Sequence, residues 1–178
     1  MAPAPCRINS DDILGRGCPR LTVSPAAGAL VPGRTCGSCT ACCRILEIEA
    51  LDKPAGILCR HNTGQACGIY LERPEACAQW HCLWRRIGAL PDALRPDRSG
   101  VVFGLERRPP GAGTSEEGAC IVGRALDSED AFDRWEAVEA FAMFVREGSL
   151  PVWKAQNGHA ILMNPGPEIP GRPGSRRA

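Results

Sequence analysis

The sequence CGSCTACC, from Cys36 to Cys43, sets the organisation of this protein, because it places four cysteines within eight residues and makes two of them neighbours. A C-x2-C pair is short enough for both sulfurs to reach one ion, since the backbone between them turns and aims amide N–H groups at the thiolates. Two such steps in tandem share Cys39. The stretch therefore predicts metal ligation or redox chemistry rather than ordinary core packing.

Four further cysteines extend this stretch into a run of eight, at positions Cys59, Cys67, Cys77 and Cys82. Three more lie outside the run, namely Cys6, Cys18 and Cys120, and we interpret them as structural or incidental. An odd total of 11 cysteines cannot pair completely within one chain, and free thiols at this density invite oxidation. Thiolates select zinc, iron, iron–sulfur clusters or Cu(I) over magnesium and calcium. We expect the eight clustered cysteines to be metal ligands.

The number of metal centres stays open at this point. Eight thiols suffice for two four-cysteine sites, or for one four-ligand site with extra thiols around it. Cys42 and Cys43 are adjacent and point in different directions on any regular backbone, so the pair either bridges two centres or serves one while the other thiol is buried. The spacing C-x2-C-x2-C also matches the first three ligands of the bacterial ferredoxin run, but the C-x3-C-P continuation is missing.

The segment RPEACAQWHCLWRR, residues 73 to 86, predicts a short helix that carries Cys77, since Pro74 suits a first helical turn. His81 lies four residues after Cys77 and would share its face, whereas Cys82 would point roughly 140° away. Two arrangements follow. Either His81 joins Cys77 at one centre, or the helix ends early and Cys82 turns to join it.

Other side chains near the run would shape the site. Trp80 and Trp84 are four residues apart and could shield it from water, although tryptophans in such a pattern are more often part of an ordinary core. His61 and His159 are weaker candidates than His81. Four thiolates around a divalent ion leave a net charge of about −2, which nearby guanidinium groups would offset. The flanking arginines are Arg44, Arg60, Arg73, Arg85 and Arg86.

Composition excludes several classes of function. A chain of 178 residues with 44% apolar and 23% charged residues supports one globular core with a smaller unit beside it. A net charge of +1 provides no bulk field for nucleic acid or an anionic membrane, and we expect neither as a partner. The sequence has neither a secretory leader pattern nor an apolar run of roughly 18 residues, so we expect a soluble cytoplasmic protein. Nucleotide-binding glycine motifs are missing, which argues against a nucleotide cofactor.

Composition also divides the chain. Residues 1–35 are rich in proline and glycine and predict an extended arm. Residues 36–87 form the cysteine-cluster region, and residues 99–163 form a small αβ region. Residues 164–178 predict a flexible tail. GVVFGLERR and ACIVGRALD predict an antiparallel strand pair, and HAILMN, residues 159 to 164, a third strand.

Between these strands, Ser128 is placed to cap a helix that ends at Gly148. Its predicted apolar stripe is Ala131, Trp135, Val138, Ala142 and Val145. The expected fold class is α+β. A small, irregular, metal-stapled cysteine-cluster region with short helices would precede a small antiparallel sheet with one packed helix.

The cysteine pattern resembles the bacterial YkgJ-type cysteine-cluster family, described as a zinc- or iron-chelating domain and often labelled an Fe–S oxidoreductase. The resemblance covers residues 36 to about 84 and rests on CGSCTACC and CGIYLERPEACAQWHC. The shared elements are the C-x2-C-x2-C-C opening, Cys59, and the segment formed by Cys67, Tyr70, Arg73, Pro74 and Cys77, closed by Cys82. It implies a metal-chelating domain whose cysteines are the ligands, and little about a substrate.

Three functions remain in view. The first is a metal-binding module that holds iron or zinc as a folding staple or as cargo. The second is an iron–sulfur oxidoreductase or electron-transfer protein with a redox partner. The third is a zinc-stabilised interaction module without catalysis. A thiol enzyme has weak support, because its only Cys–His neighbours are His81 and Cys82, which would face different ways on a helix. The sequence identifies no catalytic residue.

Overall fold

The computed structural model describes residues 30–106 and 118–164. Most of the predicted arm and the tail from residue 165 onward lie outside the described residues, as do Cys6 and Cys18. Among the residues described, no helix has both the length and the apolar character that crossing a membrane requires.

The part of the chain before residue 100 consists of short helices joined by loops, and the later part is regular. The α-helices of the described ranges are α1 Cys42–Ile45, α2 Glu75–Gln79, α3 Leu83–Arg86, α4 Pro96–Ser99 and α5 Trp135–Glu147. Single turns of 3-10 helix occupy Glu49–Leu51, Tyr70–Glu72, Asp92–Leu94 and Glu129–Asp133. The strands are β1 Val101–Glu106, β2 Cys120–Ala125, β3 Val152–Gln156 and β4 His159–Asn164. The predicted α+β fold is confirmed.

The strands form one four-stranded sheet in the order β1-β2-β3-β4. β1 and β2 pair antiparallel, as predicted, with Val101 opposite Ala125. The predicted strand at residues 159 to 164 is β4, which pairs antiparallel with β3. β3 was not anticipated, and it runs parallel to β2. The sheet is therefore mixed rather than wholly antiparallel, because α5 provides the long crossover connection that a parallel pair requires.

The helix between β2 and β3 differs from its prediction in its start and in its buried face. The Ser128 hydroxyl accepts a hydrogen bond of 3.3 Å from the Asp130 amide, but it caps the 3-10 turn Glu129–Asp133 rather than α5. Arg134 is extended and separates the two helices. The predicted stripe is wrong, because this break shifts the helical phase and leaves Trp135 68% exposed. The buried face consists of Ala137, Ala140, Phe141 and Phe144, and Gly148 ends the helix as predicted.

One hydrophobic core joins α3 to the sheet. Leu83 and Trp84 of α3 are buried in the same cluster as Phe103 of β1 and Phe141 of α5. The rings of Phe103 and Phe141 meet edge to face with centroids 4.9 Å apart. Since α3 lies directly after Cys82, this core fixes one end of the cysteine run to the sheet.

Arg34 fastens the segment before the cysteine run to the end of α3. Its guanidinium donates hydrogen bonds of 2.9 Å to the Ile87 carbonyl and 2.6 Å to the Leu90 carbonyl, and a further one to the carbonyl of Trp84. The amide of Val31 donates to the carbonyl of Arg85 at 2.8 Å. The last carbonyls of a helix have no partner within the helix, so these contacts satisfy groups that burial would otherwise penalise.

Candidate metal centre

Seven of the eight clustered cysteines line one cavity of about 90 Å³. They approach it from separate parts of the chain, which the fold brings together. The seven are Cys36, Cys39, Cys42, Cys43, Cys59, Cys67 and Cys77. Cys82, the eighth, lines a smaller neighbouring cavity of about 30 Å³ together with Cys36, Cys39 and Cys42.

The turn predicted for the first C-x2-C step is present, and a further turn ends at Cys43. The amide of Cys39 donates to the carbonyl of Cys36 at 2.8 Å, and Gly37 has φ 52°, which suits a residue without a side chain. The amide of Cys43 donates to the carbonyl of Thr40 at 2.9 Å. Each turn folds the backbone back so that the next cysteine returns toward the same cavity.

Cys77 lies on α2, as predicted, and the helix ends early, but Cys82 does not turn to join Cys77, whereas His81 lines the same larger cavity as Cys77. α2 ends at Gln79, and Trp80 is already extended, so His81 is not on one helix with Cys77. Cys82 occupies the N-cap position of α3. It lies beside Cys36 and Cys39 and not beside Cys77, because α3 is held in the hydrophobic core and aims Cys82 the other way.

His81 lines both cavities. Burial lowers the pKa of His81, and the positive charges of Arg85, Arg86 and Arg73 lower it further. A neutral imidazole is the form that binds a metal, so His81 fits a ligand or a neighbour of one. His61 and His159 line neither cavity.

The two tryptophans of the segment have different positions. Trp80 lines both cavities and fits the predicted shield against water. Trp84 instead belongs to the hydrophobic core. Trp84 therefore packs in the core and does not shield the site, because α3 directs this side chain toward β1.

The flanking arginines divide by their contacts. Arg85 donates a hydrogen bond of 3.3 Å to the Sγ of Cys36. Arg73 lies 3.8 Å above the Tyr70 ring and lowers the pKa of Cys77 against the larger raising effect of burial. Arg44 forms an ion pair of 2.9 Å with Asp127, and Arg60 donates to His61 at 3.4 Å. Arg85 and Arg73 therefore provide positive charge at the thiols, while the other two contacts point elsewhere.

Lys53 lines the larger cavity, and sequence reasoning did not single it out. It is 6% exposed, and its Nζ donates to the carbonyls of Arg44 at 3.1 Å and Pro54 at 2.9 Å, and also to that of Leu46. In the described part of the chain no carboxylate lies within ion-pair distance of it. Burial lowers the pKa of Lys53, and the charges of Cys59 and Cys43 oppose that effect. A buried cation without a carboxylate fits a site where thiolates supply the negative charge.

Cys42 and Cys43 differ sharply although they are neighbours. A hydrogen bond from the Cys42 thiol lowers the pKa of Cys43 to about 7, and the charge of Lys53 and the Asn62 side chain act in the same direction. The same hydrogen bond, together with burial, raises the pKa of Cys42. Without an ion the pair would share one proton, so one thiolate is available close to neutral pH.

Asn62 binds the segment between the later cysteines to α1. Its amide donates to the carbonyl of Cys59 at 3.0 Å, it forms a β-bridge with Cys67, and its side chain faces Cys43. Its Nδ2 is buried and has no other hydrogen-bond partner among the described residues. An N–H group held against a cysteine sulfur stabilises the thiolate, which is the form that binds a metal.

The donor set fits a soft metal ion or an iron–sulfur cluster, although it is not closed around one. The nine cysteines of the described ranges are all free thiols. As these side chains stand, no three His, Cys, Asp or Glu residues of the described ranges form a group that would hold a metal ion. Ligation therefore requires cysteine side chains to rotate between staggered rotamers about the shared cavities. The other cysteine described, Cys120, is 1% exposed in the sheet and is structural.

Comparison of the chain with models of protein families, with curated proteins and with solved structures finds no match. The resemblance to the YkgJ-type family thus rests on the cysteine motif alone and stays a prediction.

Proposed function

We propose that this protein is a metal-binding cysteine-cluster protein that holds iron or zinc through cysteine thiolates. The observation that carries the proposal is the convergence of Cys36 to Cys77 on one cavity, with Cys82 on an adjoining one. Segments poor in large aliphatic side chains supply these thiols. Such segments gain folding free energy from a bound ion, on the order of 10 kcal/mol or more in zinc-finger peptides.

The charges around the cavities support an anionic thiolate site. Arg85 donates to a cysteine sulfur, and Lys53 is buried with no carboxylate partner in the described ranges. Each would offset part of the charge of about −2 that four thiolates leave around a divalent ion. Hard cations are disfavoured, since sulfur is the donor.

Two roles follow from the two kinds of metal. With iron, as an iron–sulfur cluster or a mononuclear ion, the protein would act as an oxidoreductase or electron-transfer protein with a redox partner, and Trp80 would limit water at the cluster. With zinc it would be a stabilised interaction module for a protein partner. The tandem C-x2-C spacing favours the iron–sulfur role. A bound cluster supplies single-electron transfer, and a bound zinc ion supplies structural rigidity.

A cytoplasmic location agrees with this role. Free thiols in the described part of the chain persist most readily where the surroundings are reducing. Neither a nucleotide cofactor, nor nucleic acid, nor a membrane is part of the proposal.

The test is elemental analysis and a visible spectrum of protein purified without oxygen. A brown protein with an absorption band at about 400 nm indicates an iron–sulfur cluster. A colourless protein with bound zinc indicates the structural role. A colourless, metal-free protein that takes up neither Zn²⁺ nor Fe²⁺ with sulfide, and whose stability in urea is unchanged by a strong chelator, would overturn the proposal.

A further inference from the structure

The division of the cysteines begins at α1. Cys42 and Cys43 are its first two residues, and consecutive residues of an α-helix point about 100° apart. Their side chains therefore leave the helix toward different neighbours. These two neighbouring cysteines are the place where both groups meet, and each affects the pKa of the other.

The first group surrounds the smaller cavity. Its four cysteines are Cys36, Cys39, Cys42 and Cys82, and none of the other four clustered cysteines lines that cavity. The sulfur neighbours of Cys82 are Cys39 and Cys36, whose charges raise its pKa after the larger effect of burial.

The second group consists of Cys43, Cys59, Cys67 and Cys77, which line the larger cavity together with three cysteines of the first group. The sulfur neighbours of Cys77 are Cys43, Cys67 and Cys59. The amide of Cys59 donates to the carbonyl of Cys43 at 2.9 Å. Asn62, through its amide, its bridge and its side chain, contacts Cys59, Cys67 and Cys43 in turn. The backbone itself thus holds three of these four cysteines together.

Each group has its own cations. Arg85 donates to Cys36 of the first group, whereas Arg95, which donates to the Cys36 carbonyl at 2.8 Å, is itself paired with Asp97 at 2.9 Å. Lys53 lies against Cys59, Cys43 and Cys77 of the second. Two four-thiolate centres side by side would repel each other, each with a charge of about −2, and separate cations reduce that repulsion.

We infer that the eight cysteines form two separate four-thiolate centres, one made by Cys36, Cys39, Cys42 and Cys82 and the other by Cys43, Cys59, Cys67 and Cys77. The first is called the early centre and the second the late centre. Each takes one zinc ion or one iron–sulfur cluster, and the peptide bond between Cys42 and Cys43 joins them. The inference rests on the proposed function and adds the ligand sets.

The test measures metal per chain in four proteins reconstituted without oxygen with Zn²⁺, and separately with Fe²⁺ and sulfide. They are the unaltered chain, Cys36→Ala with Cys82→Ala, Cys67→Ala with Cys77→Ala, and the control Cys120→Ala. The expected result is full metal content in the unaltered chain and the control, and half in each double variant. Loss of all metal from a double variant that keeps the circular dichroism of the unaltered chain, or loss of none, would contradict two centres.

A second measurement needs no variant. The metal-loaded chain receives chelator sufficient for half of its metal, is treated with N-ethylmaleimide, and is mapped by mass spectrometry. Among the eight clustered cysteines, two centres leave none modified before chelator is added, and afterwards give chains with four modified thiols that belong together to the early centre or to the late centre. A single four-thiolate centre leaves the other four clustered thiols modified even before chelator, and a single centre of all eight gives only unmodified and eightfold-modified clusters. Either of these results overturns the division but leaves the proposed function intact. Metal-free protein in every preparation would overturn both.

Discussion

Arg85 donates a hydrogen bond of 3.3 Å to the Sγ of Cys36 across a separation of 49 residues. The contact joins α3 to the first turn of the cysteine run and places a fixed positive charge on one side of the early centre.

Replacing Arg85 should weaken the early centre selectively. We expect Arg85→Met to lower the metal affinity of that centre about 10- to 100-fold, the usual effect of losing a group that contacts a metal ligand. Chelator competition, read by alkylation of the released thiols, measures it. Arg146→Met, on an exposed part of α5, is the control. Equal weakening of both centres would contradict the assignment.

Lys53 makes the complementary prediction for the late centre. Lys53→Met removes the buried charge beside Cys59 and Cys43 and should lower the affinity of that centre about 10- to 100-fold, with less effect on the early centre. It also leaves the carbonyls of Arg44 and Pro54 without their donor, so the free energy of unfolding should fall by about 1–3 kcal/mol. Lys154→Met is the matched control. An unchanged late centre in the folded variant would exclude this role of Lys53.

Arg34 should contribute to stability rather than to ligation. Arg34→Met removes its hydrogen bonds to the carbonyls of Ile87 and Leu90, and we expect a loss of about 2–3 kcal/mol in urea unfolding. Arg34→Lys keeps the charge but cannot reach several carbonyls at once, so its loss should be intermediate. If the lysine variant proves as stable as the original, charge alone explains the contact.

Gly123 sets the distance between β2 and α5. A Cβ there would lie 2.5 Å from the Cζ of Phe141 and 2.9 Å from the Cε1 of Phe103. Gly123→Ala should therefore destabilise the protein by about 1–3 kcal/mol, since rigid rings in a packed core yield little. Gly118→Ala, whose Cβ meets no atom within 4 Å, is the control. Similar urea midpoints for both variants would contradict this packing.

Cys120 predicts a pH dependence outside the metal centres. Burial raises the pKa of Cys120 from 9.0 to about 11, with a smaller contribution from the charge of Glu106. The folded state thus keeps a proton that the unfolded chain loses above pH 9.0, so this contribution to stability is complete below that pH and is lost toward about pH 11. Relative to Cys120→Ala, the original protein should lose about 2 kcal/mol over that range. Urea unfolding of both proteins at several pH values measures this effect. A difference in the free energy of unfolding that does not change with pH would contradict the prediction.

Local signals predicted much of the fold. Alternation and turn residues identified β1, β2 and β4, and the left-handed Gly148, with φ 60°, ends α5 where glycine was expected to end it. The buried face of α5 was not predictable from periodicity, because the extended Arg134 interrupts the helix and resets its phase. β3 was not predictable from local signals either, because its pairing with β2 depends on the crossover that α5 makes.

The candidate site shows the same limit. The spacing grouped the eight cysteines, and the fold brings them to two adjoining cavities, while their role as ligands stays a prediction. The spacing could not assign Cys82 to its neighbours, because the packing of α3 in the core decides its direction. The sequence pattern did not identify Lys53 either, because its position beside the thiols depends on how residues 44–59 fold together.

Trp84 follows Cys82 by two residues, is buried in the core, and has the Arg34 guanidinium 4.8 Å above its ring. A rearrangement at Cys82 reaches this indole through less than one turn of helix. The tryptophan fluorescence of the protein should therefore change in wavelength or intensity when metal binds at the early centre, through Trp84 and through Trp80, which lines both cavities.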